Sequence, residues 1–367
     1  MDSGTTAPLR SPLHDDHLRI GAKAVATAGW EIPLSFAGVF QEYRASQTGT
    51  VVWDSTNLGA IAVTGAGAEE TIQRTLTNDV SGCSPGAAQY TLLLSAADAS
   101  VVDDLMVWRL AADEFILTAN VSSRVLAALR STGSAMTRSR LQVRDVSRER
   151  VLLAVQGKTA RQTLTEITPE AGEMPAFAVR EAVFEGVTVT LATTRFGART
   201  GFELHIPATV ASTMYGRLLQ AGAQPAGLAM REVHRIEHGL PRHDHEFGPG
   251  ITPLHAGLMR IVRLDTPFTG KEALLRAMRS RPSRLLRSVI MDSRRAPARG
   301  AVVLHAGQPV GEVTSGTFSL YLRRGVGLAY VDPAVADGAV VTVKADGRSA
   351  TGRMAPVPAI PRTTETL

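Results

Sequence analysis

The chain has 367 residues, of which 44% are hydrophobic, 20% charged and 5% aromatic, and its net charge is +5. This composition is typical of a globular protein and excludes a disordered one, which would hold fewer apolar residues and more net charge. The basic residues are not interleaved with aromatic ones, as a nucleic-acid surface requires, so we expect no nucleic-acid partner. The single cysteine, Cys83, excludes a disulfide framework and a CxxC metal or redox site.

The sequence gives no sign of a targeting or membrane segment. No apolar stretch approaches the ~20 residues that a membrane-spanning helix needs. Residues 1–20 carry acids and prolines and no apolar core, so they do not predict a signal peptide. We therefore expect a cytoplasmic protein with no membrane partner.

The first part of the chain alternates predicted strands and helices, and its hydrophobic pattern changes between the two periods. Residues 1–50 predict mostly loop and helix. Ser122 is expected to be the N-cap of the helix that starts beside it. The elements predicted next are strands at 59–65, 105–110 and 115–119, and helices at 68–77 and 122–131.

A second block repeats this alternation and is followed by strands alone. Strands are predicted at 151–157, 187–193 and 202–206, with a helix at 211–222. Strand–helix units that include antiparallel hairpins predict an α+β fold. After a linker around Pro282, five short strands separated by Gly and Pro turns predict a small β-barrel or sandwich. We therefore divide the chain into two regions, residues 1–280 and residues 285–360.

One acidic pair stands directly before an apolar strand. Asp103 and Asp104 could orient a cationic amine, or act as acid and base. The alternative is a solvated turn, and the spacing alone favours that alternative.

Residues 234–246 are rich in histidine and include the pattern H-x-x-E-H. His234, Glu237 and His238 would share one helical face, as in one class of zinc peptidase. However, Arg231 and Arg235 lie on the same helix and would repel a cation, and no third ligand can be assigned. We therefore predict no metal site, and a metal-dependent hydrolase stays a distant alternative.

Ten segments, which follow one another in order over roughly residues 12–355, resemble the glycine cleavage T-protein (aminomethyltransferase) family. This ordered coverage is more specific than any single segment. The segments are PLHDDHLRIGAKAVATAGWEIP (12–33), VVWDSTNLGAIAVTG (51–65), TNDVS (77–81), AQYTLLLS (88–95), VVDDLMVWRL (101–110), AVQGKTA (154–160), PAGLAMREVHRIEHGLP (225–241), ITPLHAGL (251–258), FTGKEALL (268–275) and GEVTSGTFS (311–319).

The resemblance implies an α+β cloverleaf of three domains around a central channel. Two interleaved α+β subdomains would form the folate-binding region at 1–280, and the C-terminal domain would be a β-barrel. It also implies tetrahydrofolate as the acceptor of the one-carbon unit. Asp104 matches the family's catalytic aspartate, and Arg231 matches its arginine near the reactive end of the channel. The positions that match the folate pocket are Leu58, Tyr90, Asp104, Met106, Trp108, Thr118 and Asn120.

The sequence also departs from the family at the implied site. The glutamate that accepts hydrogen bonds from the pterin ring is placed by the resemblance at Arg199, which can only donate. Arg260 stands where the family has Trp, and His243 where it has Tyr. Three guanidinium groups around one channel, Arg231 included, would need anions to pair with.

These departures lead to a specific hypothesis about the donor. We predict a tetrahydrofolate-dependent methyl or aminomethyl transferase whose donor is a small anionic O-, N- or S-linked molecule. Arg199, Arg260 and His243 would bind this donor, and a lipoyl carrier protein is disfavoured as partner. The alternatives are the housekeeping glycine cleavage aminomethyltransferase and a folate-binding scaffold without turnover.

Overall fold

The structure is a computed structural model, which describes residues 7–27, 29–136, 140–194 and 201–360. Within these residues the α-helices are α1 (His14–Arg19), α2 (Val39–Thr48), α3 (Ala68–Thr75), α4 (Ser122–Ala135), α5 (Ala160–Thr165), α6 (Ala208–Gln220), α7 (Leu228–Glu237) and α8 (Lys271–Ala277). Two short 3₁₀ helices span Pro169–Ala171 and Met259–Ile261.

The strands of the first region are β1 (Leu9–Arg10), β2 (Lys23–Thr27), β3 (Trp30–Ser35), β4 (Thr50–Asp54), β5 (Gly59–Thr64), β6 (Ala87–Leu94), β7 (Val101–Ala111), β8 (Glu114–Ala119), β9 (Gln142–Asp145), β10 (Arg150–Gly157), β11 (Val179–Phe184), β12 (Val187–Thr194), β13 (Gly201–Pro207) and β14 (Gln224–Pro225). The strands of the second region are β15 (Leu285–Met291), β16 (Val302–His305), β17 (Gln308–Ser319), β18 (Arg324–Val331), β19 (Val340–Ala345) and β20 (Arg348–Ala355).

The strands form three open sheets and one closed barrel. The five-stranded sheet has the order β6-β7-β8-β5-β9, and the six-stranded sheet has the order β11-β12-β13-β10-β4-β14. Because β4 precedes β5 and β10 follows β9, the chain leaves the six-stranded sheet, builds the five-stranded sheet and returns. A third sheet, β1-β3-β2, lies in the first fifty residues. The prediction of mostly loop and helix for these residues includes α1 and α2 but missed this sheet.

The alternation along β7 determines what each face of the five-stranded sheet buries. Leu105 and Val107 point into a core that also contains Ile72 of α3 and Leu129 of α4. In an extended strand the residues between them must point to the opposite face. Asp104 and its alternate neighbours along β7 are therefore directed away from the helices.

The same alternation holds along β13 in the six-stranded sheet. Phe202 and Leu204 are fully buried in the core of that sheet, whereas Glu203 and His205 point to the other face. The rings of His205 and of Trp108 from β7 meet edge to face, with 4.6 Å between their centroids. The face of β7 that carries Asp104 and the face of β13 that carries Glu203 therefore meet at the contact between Trp108 and His205.

The C-terminal region is a closed six-stranded barrel in the order β15-β18-β17-β16-β19-β20. The sequence predicted five of these strands. It missed β20, in which only Gly352 and Met354 are buried, so its apolar signal is weak. The architecture is α+β with a C-terminal β-barrel, as predicted. The boundary between the regions, which we place between α8 and β15, stays a proposal.

No helix in the described ranges is long and apolar enough to cross a membrane. The cytoplasmic location stays a prediction.

Candidate functional site

The two neighbouring aspartates on β7 have different surroundings. Asp103 is fully buried. Its Oδ2 accepts a hydrogen bond from the backbone N–H of Val121 at 2.7 Å, and its Oδ1 accepts one from Asn120 Nδ2 at 3.0 Å. Asp103 thus holds the residue that precedes α4, whereas Ser122, the expected N-cap, is the first helical residue and makes no capping hydrogen bond. We conclude that Asp103 has a structural role.

Asp104 lies on the opposite face and is held by two donors. Tyr90 Oη donates to Oδ2 at 2.9 Å, and Asn120 Nδ2 donates to Oδ1 at 3.1 Å. Burial raises the pKa of Asp104 to about 7, and the charge of Asp103 adds to this rise, while Tyr90 and the charge of Arg231 oppose it. A carboxyl group with this pKa can accept or release a proton near neutral pH.

Glu203 on β13 is the functional candidate that the sequence analysis missed. Burial raises its pKa to about 7, and the positive charge of Arg231 opposes this rise. Within the described part of the chain, no hydrogen bond to its carboxylate is present. A signal was available in the sequence, because Glu203 is a charged residue within a predicted strand, between the apolar residues Phe202 and Leu204.

Glu203 corrects one expectation from the sequence. The predicted loss of a carboxylate acceptor rested on Arg199, which lies outside the described residues. The acceptor that the structure offers comes four positions later in the same segment, on the strand that faces Asp104.

The positive charge of Arg231 on α7 lowers the pKa of both carboxyl groups. Burial in turn lowers the pKa of Arg231, and the charges of Glu232 and Glu203 oppose this change. Tyr90, Asp104, Glu203 and Arg231 thus form one group, linked by the Tyr90–Asp104 hydrogen bond and by the charge of Arg231. We call it the central cluster.

The other residues predicted for the folate pocket line the same face of the five-stranded sheet. Leu58 and Met106 are partly buried and pack against the apolar cluster around Trp108. Thr118 is buried opposite Met106 in the β7–β8 pair. Trp108 is fully buried against His205. Because Trp108 is fully buried, it packs beneath the residues predicted to line the folate pocket and has no surface that a ligand could contact.

Arg260 and His243 lie near the central cluster, but in different environments. Arg260 follows Met259 in the 3₁₀ helix and is exposed. Burial raises the pKa of Tyr90, and the positive charge of Arg260 opposes this rise. His243 is partly buried, with its Nε2 3.0 Å from Oδ1 of Asp244, and its charge acts on Asp103. Because Arg260 is exposed, it needs no anion to stabilise it.

The histidine-rich stretch at 234–246, which we call the histidine segment, is occupied by internal contacts. Glu237 accepts hydrogen bonds from Tyr43 Oη at 2.8 Å and from Ser319 Oγ at 2.6 Å. His234 Nε2 lies 3.1 Å from Ser46 Oγ, and burial lowers the pKa of His234 to about 3. Among the described residues no group of three or more His, Cys, Asp or Glu could hold a metal ion.

Comparison with known proteins places this arrangement in a family. Residues 13–266 match the model of the GCVT N-terminal domain, and residues 284–360 match that of the glycine cleavage T-protein C-terminal barrel domain. The chain belongs to the glycine cleavage T-protein family. Tetrahydrofolate is therefore the one-carbon acceptor of the family to which this chain belongs, and the chain is a folate-dependent transferase.

Individual relatives agree with this assignment over nearly the whole chain. The chain is 36% identical to an aminomethyltransferase of Mycolicibacterium paratuberculosis, over 94% of both chains. It is 33% identical to an aminomethyltransferase of Geobacillus kaustophilus, over 95% of this chain and 98% of that one. The crystal structure of glycine cleavage system aminomethyltransferase T from Bartonella henselae superposes with a TM-score of 0.87 at 28% identity, covering 96% of this chain and 98% of that chain. The T-protein cloverleaf is thus the fold of this chain.

Proposed function

We propose that this protein transfers an aminomethyl-derived one-carbon unit to tetrahydrofolate, in the manner of the glycine cleavage system, at the central cluster. One observation carries the proposal. Two carboxyl groups with pKa values of about 7, Asp104 and Glu203, lie on sheets that meet at the Trp108–His205 contact, and the charge of Arg231 acts on both. Ionisable groups with strongly shifted pKa values concentrate at functional sites.

The carboxylate of Glu203 fits the pterin end of tetrahydrofolate. The ring of the pterin that carries the 2-amino group offers N–H donors, and an ionised carboxylate is a pure acceptor with two oxygens. Because Glu203 has no hydrogen-bond donor among the described residues, a bound pterin would supply the missing partner. We assign the binding of the pterin to Glu203, in place of the acceptor that the sequence analysis considered lost.

Asp104 would act on the other side of the space between the sheets. Tetrahydrofolate supplies the nitrogen atoms that carry the one-carbon unit. Asp104 can accept the proton that such a nitrogen releases, and it can stabilise the positive charge that develops on that nitrogen. Tyr90 and Asn120 hold the two carboxylate oxygens and thereby fix their direction. Leu58, Met106 and Thr118 would form the wall against which the folate packs.

The structure weakens the arguments for a small anionic donor. Glu203 supplies a carboxylate acceptor, Arg231 has Glu203 and Glu232 nearby, and Arg260 is exposed. We therefore propose the aminomethyl-lipoyl carrier protein as donor, in agreement with the name of the relatives. A small acidic methyl donor is the second candidate. The observation that favours it is that the charges of Arg260 and His243 act on Tyr90 and Asp103.

The donor assay separates these candidates. The purified protein is incubated with tetrahydrofolate and either aminomethyl-lipoyl carrier protein or an N-methylated acid, and methylene- and methyl-tetrahydrofolate are quantified. We expect methylene-tetrahydrofolate from the carrier protein. Methyl-tetrahydrofolate from the acid alone would establish the second candidate instead. Tight folate binding without turnover of either donor would show a folate-binding scaffold and refute the proposal.

A further inference from the structure

Glu246, at the end of the histidine segment, connects α7 to the barrel. It is fully buried. Its Oε1 accepts hydrogen bonds from Thr314 Oγ1 at 2.7 Å and Ser315 Oγ at 2.6 Å, both on β17. Its Oε2 accepts bonds from Arg235 Nη1 and from the backbone N–H of Arg242, both at 3.0 Å. One carboxylate therefore ties together a barrel strand, a helix and a loop.

Glu232, a second partner of Arg235, continues this connection toward the central cluster. Arg235 Nε donates to Oε2 of Glu232 at 2.7 Å, and Arg242 Nη1 donates to Oε1 of the same residue at 2.6 Å. Glu232 is the immediate neighbour of Arg231, and Arg231 and Arg235 are one helical turn apart. Buried ion pairs of this kind fix a geometry strictly, because removing one member leaves an uncompensated charge.

We propose that Glu246 is a positioning residue for the transfer reaction, through which the barrel sets the place of Arg231 beside Asp104 and Glu203. The inference rests on the proposed function of the central cluster. The same loop that Glu246 holds by the Arg242 N–H also carries His243, whose charge acts on Asp103. The barrel thus contributes to the site through a carboxylate that touches no substrate.

This role predicts a shift in the pH dependence of the reaction. The charged groups around Arg231 are Glu232, Glu203, Arg242 and Arg235. Arg231 lowers the pKa of both carboxyl groups of the central cluster. If Arg231 withdraws, these pKa values rise, and the acid limb of kcat must move to higher pH.

The test compares two equally buried glutamates on the same segment. Glu246→Gln removes the charge that holds Arg235. Glu237→Gln is the matched control, since Glu237 is also fully buried and also accepts a hydrogen bond from β17, through Ser319. Among the described residues, Arg235 makes none of its hydrogen bonds to Glu237. For both variants we would measure the thermal unfolding temperature, the pH profile of kcat and the dissociation constant of tetrahydrofolate as a function of pH.

We expect the unfolding temperature to fall in both variants. Only Glu246→Gln should also lose about tenfold or more in kcat. In that variant the acid limb of kcat and the pH dependence of folate binding should move to higher pH by about half a pH unit or more. If Glu246→Gln does not fold, Ser315→Ala, which removes one hydrogen bond to Glu246 and one to Arg235, should shift the acid limb in the same direction by less.

Equal pH profiles in Glu246→Gln and Glu237→Gln, or an unchanged profile in a folded Ser315→Ala variant, would overturn the positioning role. Such results would leave the proposed function intact. A wild-type protein without turnover would instead refute the proposed function itself.

Discussion

The central cluster and the histidine segment are both rich in ionisable side chains, but their carboxylates differ in the number of hydrogen bonds that they accept. In the histidine segment, Glu237 and Glu246 each accept hydrogen bonds from several side chains. In the central cluster, the carboxylate of Asp104 accepts hydrogen bonds from two of the described side chains, Tyr90 and Asn120.

The difference shows which of the two regions is available for chemistry. A buried carboxylate with several donors has its charge stabilised by the protein and is committed to the fold. A buried carboxylate with few donors keeps a raised pKa and can gain a partner or a proton when a ligand arrives. By this criterion we interpret the H-x-x-E-H pattern as structural, and we propose the less conspicuous Asp104 and Glu203 as the site.

The largest expected effect concerns the acid itself. Asp104→Asn keeps the shape of the side chain and removes its charge, so kcat should fall by roughly 10²–10⁴-fold, because proton transfer and charge stabilisation are both lost. The dissociation constant of tetrahydrofolate should change little. Steady-state kinetics and equilibrium binding measure the two quantities.

Asp103→Asn serves as the comparison for this variant. It replaces an acceptor of the Val121 N–H, so it should lower the free energy of unfolding by about 1–3 kcal/mol, while folded molecules keep far more activity than Asp104→Asn. Full activity in Asp104→Asn would remove this residue from the mechanism.

The next effect is on folate affinity. Glu203→Gln replaces one acceptor oxygen by a donor, so tetrahydrofolate should bind about tenfold or more weakly, the scale of one charge-assisted hydrogen bond. Glu181→Gln, at an exposed position of the same sheet, is the control and should bind normally. Isothermal titration decides the comparison, and equal affinity in both variants would exclude a contact between Glu203 and the pterin.

A smaller effect should appear in stability. The pKa values of Asp104 and Glu203 lie at about 7 in the folded protein, above their ordinary values of 3.8 and 4.5. Between about pH 4 and pH 7 the folded state therefore binds more protons than the unfolded state. The stability that these protons contribute is lost as the pH rises through this range. Asp104→Asn and Glu203→Gln should each raise the unfolding temperature at pH 8, by about 2 °C or more, and have little effect at pH 4. A lower unfolding temperature at pH 8 would contradict the shifted pKa values.

The smallest effect is expected from chelation. Because His234, Glu237 and His238 are engaged with one another and with neighbouring side chains, treatment with a chelator should change neither the unfolding temperature nor turnover. A transition metal present in stoichiometric amount in the purified protein would contradict the structural interpretation of the histidine segment and favour a metal-dependent hydrolase.

The sequence by itself determined the family, the α+β class and the C-terminal barrel, and it singled out Asp104, whose catalytic role stays a proposal. The period of two along β7 and β13 also specified which residues share a face, since successive side chains of a strand must point to opposite sides. It did not reveal β20, whose exposed polar residues carry no such pattern, or the strands in the first fifty residues.

Only the tertiary structure decided which faces meet. Local periodicity predicts that Glu203 and Phe202 point to opposite faces of their strand. It does not predict that the face with Glu203 meets the sheet that carries Asp104. The pKa of a carboxyl group depends on burial and on charges from distant parts of the chain, here Arg231 on α7. For the same reason the different surroundings of Asp103 and Asp104, which are adjacent in sequence, became visible only when their partners in space were known.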